Sequence, residues 1–318
     1  MDFKKSIKKN FIIFDKIFYS EIMKVVFMIE SLYKFMPFRE SFFENFLLRA
    51  SHFNSLNDPF EMEPSIEWWV NIFLEIKHYR FGETKEEITS YIKNQNYYSP
   101  WRHLGTDLFK EHGIISFTET KNNILMWSHY SNNHTGLVVE FDIKHSFFNK
   151  KFKEKDKKYE GTPQKVLYRK DRLKSSNYLL EPFFHKSLEW MYEQEYRMLL
   201  PLHKRDKILI HNNHCNDEFI KNGVQSSSNG EFKKLNKNFL EIKNSYNTSL
   251  INNKNTMFIF KVPPNAIKSV YLGCKISKEN KDKLINLLKK ESLNHIKVFQ
   301  SIINDNNYEL DFIEEPNN

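Results

Sequence analysis

Short runs of β-branched and aromatic residues are scattered between segments with helical periodicity. Strands are predicted for residues 113–117, 136–141 and 257–262, where apolar residues follow one another and turn formers bound each run. Helices are predicted for residues 65–97, 178–192 and 278–293. Because strands and helices mix without a regular strand–helix–strand alternation, the pattern indicates an α+β fold with a mixed, mostly antiparallel sheet flanked by helices.

Two parts of the chain have a different character from this core. Residues 1–30 predict an amphipathic N-terminal helix, with apolar residues at helical spacing and lysines between them. Residues 204–255 are dominated by asparagine, serine and lysine, which predicts a mobile polar insertion, with a short helix possible only at 239–242. The remainder, 31–318, is predicted to be a single α+β domain whose first strand, 31–38, is an edge strand because Pro37 lies in it.

Charge and cysteine content narrow the function classes. The net charge is +8 and the pI about 9.1, so the surface favours polyanions, and RNA or DNA is the expected partner. The two cysteines, Cys215 and Cys274, have no metal-ligand spacing, and no bound metal is expected. No apolar stretch reaches the ~20 residues needed to span a bilayer. A cytoplasmic protein is therefore expected.

Two glutamates one residue apart are the strongest candidates for catalytic residues in the chain. In an extended segment, Glu193, Glu195 and Arg197 would lie on one face, which suits acid–base chemistry or stabilisation of a cation. In a helix, Glu193 and Arg197 would instead form an exposed ion pair. Local sequence leaves both interpretations open.

Two further strings are candidate binding segments. Asn57 and Asp58 precede Pro59 in a dense turn that either shapes the chain or presents a polar contact in a cleft. In residues 127–130, the side chains of Trp127, His129 and Tyr130 either stack on a flat heterocycle or belong to the core. A phosphate-binding glycine loop is absent from the sequence, so a nucleotide would be held by side chains and strand ends.

Several strings occur in an order that resembles one bacterial family, the domain of unknown function 2971. The resemblance covers about residues 32–273 and continues to the last strand, without the N-terminal helix and the 204–255 insertion. Its strings are Leu32–Phe35, Ala50–Ser51, Asn57–Glu61, Ser116–Phe117, Met126–Tyr130, His134–Gly136, Glu140–Asp142, Trp190, Tyr192–Arg197 and Ile267–Gly273.

The order of an early strand, an aromatic middle segment and a late Glu-x-Glu is also similar to ADP-ribosyltransferases. That resemblance implies an ADP-ribosyltransferase-like core with NAD as substrate, Glu195 as the catalytic glutamate and Glu193 as its partner. It implies that Tyr33 or Lys34 takes the first-strand position, although the usual histidine or arginine is absent there. Ser51 or Tyr130 would take the middle position.

The glycosidic bond of NAD explains why paired carboxylates would be useful. Its cleavage leaves an oxocarbenium-like cation on the ribose, which Glu195 would stabilise, while Glu193 would orient or deprotonate the acceptor. Arg197 would hold a phosphate or keep a glutamate ionised. The predicted function is an ADP-ribosyltransferase of the bacterial toxin or phage-defence type, acting on nucleic acid and associating with an antitoxin or another defence protein.

Two alternatives belong to other classes. A metal-dependent nuclease of a defence system would use Asp58, Glu193 and Glu195 as magnesium ligands. A non-catalytic module that binds nucleic acid or a protein partner would use the aromatic strings as core, and replacing Glu195 would then change stability alone.

Overall fold

The computed structural model describes residues 29–75, 82–94, 110–154, 157–176 and 179–316. The predicted N-terminal helix lies outside these residues except for its last two positions. Where the sequence predicts one domain, the chain divides into two compact units: the first comprises 1–28, 56–110 and 166–191, the second 29–55, 111–165 and 192–318. The α+β class with a mixed, mostly antiparallel sheet is confirmed.

Seventeen strands occur in the described part of the chain. They are β1 Ser31–Met36, β2 Leu47–His52, β3 His112–Thr118, β4 Leu137–Asp142, β5 Lys150–Glu154, β6 Lys157–Gly161, β7 Gln164–Lys165, β8 Leu167–Arg169, β9 His185–Ser187, β10 Glu195–Pro201, β11 Lys207–His211, β12 Glu231–Lys234, β13 Phe239–Lys243, β14 Met257–Lys261, β15 Ile267–Leu272, β16 Lys297–Ile303 and β17 Leu310–Glu314.

Seven α-helices accompany these strands within the same described ranges. They are α1 Glu40–Asn45, α2 Ile66–Glu75, α3 Lys85–Asn94, α4 Ile124–Tyr130, α5 Glu218–Gln225, α6 Thr248–Asn252 and α7 Lys278–Leu288.

The second unit is built on a thirteen-stranded sheet. Its path runs β12-β13-β11-β14-β2-β3-β1-β4-β15-β16-β17, and β10 pairs with both β3 and β7. All of these pairings are antiparallel except β15 with β16. Strand β2 joins two parts of the sheet, because residues 47–50 pair with β14 while Ser51 and His52 pair with β3.

Strand β1 is central, which corrects the prediction of an edge strand. All six of its residues pair with β4, and Tyr33 also pairs with Thr118 of β3. Pro37 does not interrupt the pairing because the strand ends at Met36. Strand β4 has five buried positions in a row, as expected for a β-branched run that is covered on both faces.

Two hydrophobic clusters cover the faces of this sheet. The larger one includes Phe117, Tyr196 and Met198. The smaller one lies under α4 and contains Phe35, Trp127 and Val138, among others, with Tyr33 and Tyr130 packed against it.

The polar segment 204–255 is folded, which differs from the predicted mobile insertion. It contributes β11, β12 and β13 to one end of the sheet, and residues 239–242 belong to a strand instead of a helix. Its few apolar residues are concentrated at buried positions such as Ile208, Ile220 and Leu250. A low average hydropathy therefore concealed a sufficient set of core anchors.

The predicted helix over 178–192 is replaced by irregular structure. A 3₁₀ turn over Glu181–Phe184 is followed by β9 and by a second 3₁₀ segment, Leu188–Glu193. Pro182 at the start of the first turn cannot donate a backbone hydrogen bond and so favours a short turn.

The first unit contains α2 and α3, together with the parallel pair β8 and β9. Trp68 and Trp69 of α2 are buried and meet edge to face, with ring centroids 4.7 Å apart. The Trp68 indole donates to Ser176 Oγ at 2.6 Å. Buried aromatic pairs of this kind stabilise the unit.

Candidate active site

The two glutamates flank a sharp backbone turn. Glu193 is the last residue of the 3₁₀ segment, Gln194 has a φ of 45°, and Glu195 begins β10. The helical interpretation of this string is therefore wrong, and the extended one holds only from Glu195 onward. Because an L residue with positive φ is strained, surrounding contacts must hold Gln194 in place.

Glu195 and Arg197 form a buried ion pair on one face of β10. Arg197 donates from Nε to Glu195 Oε1 at 2.8 Å and from Nη2 to Glu195 Oε2 at 2.9 Å. Glu195 is 5% exposed and Arg197 is 1% exposed. A bidentate pair fixes both the position and the plane of the carboxylate. Arg197 thus pairs with Glu195 in a buried strand, which corrects the interpretation of an exposed ion pair on a helix.

Glu193 is held by a tyrosine from α4. The Tyr130 hydroxyl donates a short hydrogen bond to Glu193 Oε1, and Glu193 is only 4% exposed. One residue earlier on the helix, His129 Nδ1 lies 3.1 Å from the Tyr192 hydroxyl. Helix α4 therefore contacts two successive residues of the segment that carries the glutamates.

The loop between β3 and α4 also supports this segment. The Asn123 side chain accepts hydrogen bonds from Leu125 N and Met126 N, which caps α4, and it donates to Tyr192 O at 2.6 Å. In the same loop, Glu119 N donates to Gln194 O at 3.2 Å. These bonds account for the strained conformation of Gln194.

Tyr33 lies on the same sheet face as Glu195. Both residues pair with Thr118, one from each side of β3. Their Cα atoms are thus two strand spacings, about 10 Å, apart. The tertiary structure accordingly brings Tyr33, Tyr130 and both glutamates to one region of the second unit.

Lys34 extends from the opposite side of β1. Its ammonium donates to Ser116 O at 2.8 Å and lies 5.6 Å from the centre of the Phe117 ring. Burial lowers the pKa of Lys34 to about 8; the nearby Glu195 carboxylate opposes this shift, and Arg39 adds to it. Lys34 therefore loses its proton more readily than an exposed lysine.

Two predicted site residues of the second unit lie elsewhere. Ser51 pairs with Ile114, four residues along β3 from Thr118 and so about 13 Å along the strand. Trp127 is completely buried, and its ring packs on Phe35 at 5.3 Å. It offers no open ring face for stacking and belongs to the core.

Asn57 and Asp58 belong to the first unit. Asp58 is 4% exposed, and its Oδ1 accepts a hydrogen bond from Phe60 N at 2.8 Å. The sequence left two roles open for Asp58, shaping the turn or contacting a ligand, and this hydrogen bond is the one that shapes the turn. Asn57 is exposed.

The sequence did not identify Asn123 and Gln194 as site residues. An asparagine immediately before an apolar helical run is an N-cap signal and could have identified Asn123. Gln194 carries no such signal, because glutamine has no preference for positive φ.

The family comparison agrees with this part of the chain. The DUF2971 family model, described as a protein of unknown function, matches residues 126–198. The predicted resemblance to that family is confirmed over these residues. They run from α4 into β10 and include His129, Tyr130, both glutamates and Arg197. The match attaches no activity to them.

No curated protein matches the chain, and no solved structure does. In the described part of the chain, no helix is long and apolar enough to cross a membrane. Within the same ranges, no group of three or more histidine, cysteine, aspartate or glutamate residues could hold a metal ion.

Proposed function

We propose that the chain is an NAD-dependent ADP-ribosyltransferase of the toxin or phage-defence type, with Glu195 as the catalytic carboxylate. The observation that carries this proposal is the buried Glu195–Arg197 pair, which holds a carboxylate in one orientation at the start of β10. A preorganised charge of this kind stabilises a developing opposite charge without reorganising.

The proposed reaction needs a carboxylate at a ribose cation. The bond between nicotinamide and ribose breaks, its electron pair leaves with nicotinamide, and the anomeric carbon becomes positively charged beside Glu195. A nucleophilic oxygen or nitrogen of the acceptor then bonds to that carbon and gives its proton to Glu193. The products are nicotinamide, an ADP-ribosylated acceptor and one proton.

The roles of the surrounding residues follow from their positions and contacts. Tyr33, His129 and Tyr130 remain proposed NAD-binding residues because they lie near the glutamate segment. Lys34 remains one because its charge interacts with Glu195, although it extends from the opposite side of β1. Arg197 donates two hydrogen bonds to Glu195 and is therefore proposed to position that carboxylate instead of binding a phosphate. Nucleic acid is the proposed acceptor on account of the net charge of +8. An antitoxin partner remains a prediction.

Transfer of label from NAD provides the test. The purified protein is incubated with NAD labelled on its adenylate phosphate, together with RNA, DNA or cell extract, and the labelled product is isolated. We expect transfer by the wild type and a loss of at least about 100-fold in Glu195→Gln, since removing one preorganised electrostatic group typically costs that much.

A second buried glutamate separates chemistry from folding. Glu241 is 5% exposed and lies 2.6 Å from the more exposed Lys243 ammonium in β13, so Glu241→Gln also removes a buried, paired carboxylate but should keep transfer. Tyr130→Phe, which retains the ring, should reduce transfer through Glu193. If Glu195→Gln is folded and transfers label as fast as the wild type, the proposed function is wrong.

A further inference from the structure

A cavity of about 310 Å³ lies in the first unit. Its walls come from residues 60–64, 169–173 and 182–189 and combine apolar side chains with charges of both signs. The volume lies at the lower end of the range found for small-molecule sites.

Phe60 and Arg172 pack together at this cavity, with the guanidinium over the ring. Phe60 is 58% exposed, and the Arg172 guanidinium lies 5.3 Å from the centre of its ring. The backbone of Phe60 is fixed by its hydrogen bond to the buried Asp58 carboxylate. An exposed ring on a fixed turn, next to a guanidinium, is the kind of surface on which nucleobases stack.

A basic strip adjoins the Phe60 ring. Residues 169–174 contain Arg169, Lys170, Arg172 and Lys174 and a single acidic residue, Asp171, and all five side chains are exposed. Exposed lysines and arginines in such a cluster neutralise phosphates.

The other charges of the lining restrict the ligand further. Lys186 is neutralised by Glu61 at 2.9 Å, with both side chains almost completely buried, so it adds no net charge. Glu63 and Glu189 also line the cavity. Acidic groups disfavour a bare anion but accept hydrogen bonds from base amines and ribose hydroxyls.

We propose that this cavity binds a nucleoside phosphate unit of single-stranded nucleic acid, with the base on Phe60 and the phosphates on the 169–174 strip. The proposal goes beyond transferase chemistry. It concerns binding in the absence of NAD and stands whether or not Glu195 transfers ADP-ribose.

Fluorescence anisotropy of the full-length protein with labelled single-stranded RNA and DNA provides the test. Phe60→Ala should weaken binding by about 5- to 100-fold, the usual effect of losing one stacked base. Phe60→Tyr should restore most of the affinity. Lys170→Ala should lower the slope of affinity against salt concentration, whereas Phe60→Ala should leave that slope unchanged, because only the lysine neutralises a phosphate.

Two surface variants are the matched controls. Phe219→Ala removes another exposed phenylalanine, and Lys93→Ala removes an exposed lysine of the first unit outside the cavity lining. Neither should change the affinity more than about twofold, since surface substitutions away from a site have small effects.

Competition identifies the source of the nucleoside phosphate. Displacement of the strand by duplex DNA should be poor, because a paired base is not available to stack on Phe60. If labelled AMP binds and depends on Phe60 while strands do not compete, the same chemistry comes from a free nucleotide. If Phe60→Ala and Arg172→Ala bind every probe as tightly as the wild type, the proposal is overturned.

Discussion

Arg197 donates two hydrogen bonds to the carboxylate of Glu195, two positions earlier on the same strand, and both side chains are almost completely buried. Burial makes the pair costly to break, because the partner left behind is an uncompensated charge. The pair therefore links the stability of the second unit to the geometry of the candidate site.

The first prediction concerns this pair. Glu195→Gln and Arg197→Gln should each lower the free energy of unfolding by about 3–5 kcal/mol, as is typical when one partner of a buried ion pair is removed. The double variant should lose at least about 1 kcal/mol less than the sum, because neither charge remains unpaired. Urea unfolding of the wild type, the two single variants and the double variant measures the four free energies of unfolding. Glu279→Gln, which breaks an exposed pair with Lys283, is the control and should leave the midpoint unchanged. Additive losses would contradict the coupling.

A second prediction follows from Lys34, whose pKa is lowered by burial from 10.5 to about 8. Between these values the unfolded chain binds more protons than the folded one, so the free energy of unfolding rises with pH in that window. Below pH 8 both states are protonated and the cost of burying the charge is fully present. The stability of the wild type relative to Lys34→Met should therefore increase from pH 8 to 10.5. Lys93→Met, which removes an exposed lysine, is the control for the loss of a charge. If the difference in the free energy of unfolding between the wild type and Lys34→Met does not change with pH, Lys34 is not a buried cation.

Asn123 permits a test of the link between α4 and the glutamate segment. Asn123→Ala should cost about 1–2 kcal/mol because the helix cap is lost. Asn123→Asp keeps an acceptor for the cap but loses the amide that donates to Tyr192 O. Asn123→Asp should therefore keep an unfolding midpoint close to that of the wild type, whereas the midpoint of Asn123→Ala should fall. Asn123→Asp should nevertheless transfer less label from NAD than the wild type. Equal transfer by Asn123→Asp and the wild type would show that the bond to Tyr192 does not position the glutamates.

Gln194 provides the fourth prediction, since its φ of 45° is unfavourable for most residues. Gln194→Val should lower the free energy of unfolding by about 1–3 kcal/mol, because a β-branched side chain tolerates this conformation worst. Gln194→Gly should be neutral or slightly stabilising. Thermal unfolding of both variants is the measurement; if valine is tolerated as well as glycine, residue 194 is not held in the left-handed region in solution.

Much of the secondary structure was predictable because its signals are local. The strands over 113–117, 136–141 and 257–262 form close to their predicted limits, since β-branched and aromatic residues suit a buried sheet. Predictions failed where nonlocal packing outweighed composition. The 204–255 segment is polar on average, yet residues such as Ile208 and Leu250 anchor it to the core.

The candidate site was predictable only in its residue types. The sequence shows both the Glu-x-Glu string and the aromatic string at 127–130, but it does not show that Trp127 is fully buried while Tyr130 bonds to Glu193. Three residues apart on α4, the two side chains lie on the same side of the helix, and both contact one hydrophobic cluster. Only the contact of Tyr130 with Glu193, a residue far along the chain, distinguishes them.

The sequence by itself determined the α+β class, most of the strands and the presence of a carboxylate pair beside an arginine, because these depend on local periodicity and residue chemistry. Only the tertiary structure decided that Glu195 pairs with Arg197, that Glu193 is held by Tyr130, and that Tyr33 shares their sheet face. Those relationships depend on the register of β10 with β3 and on where α4 packs. Both are set by contacts between residues far apart in the chain, which no local pattern encodes.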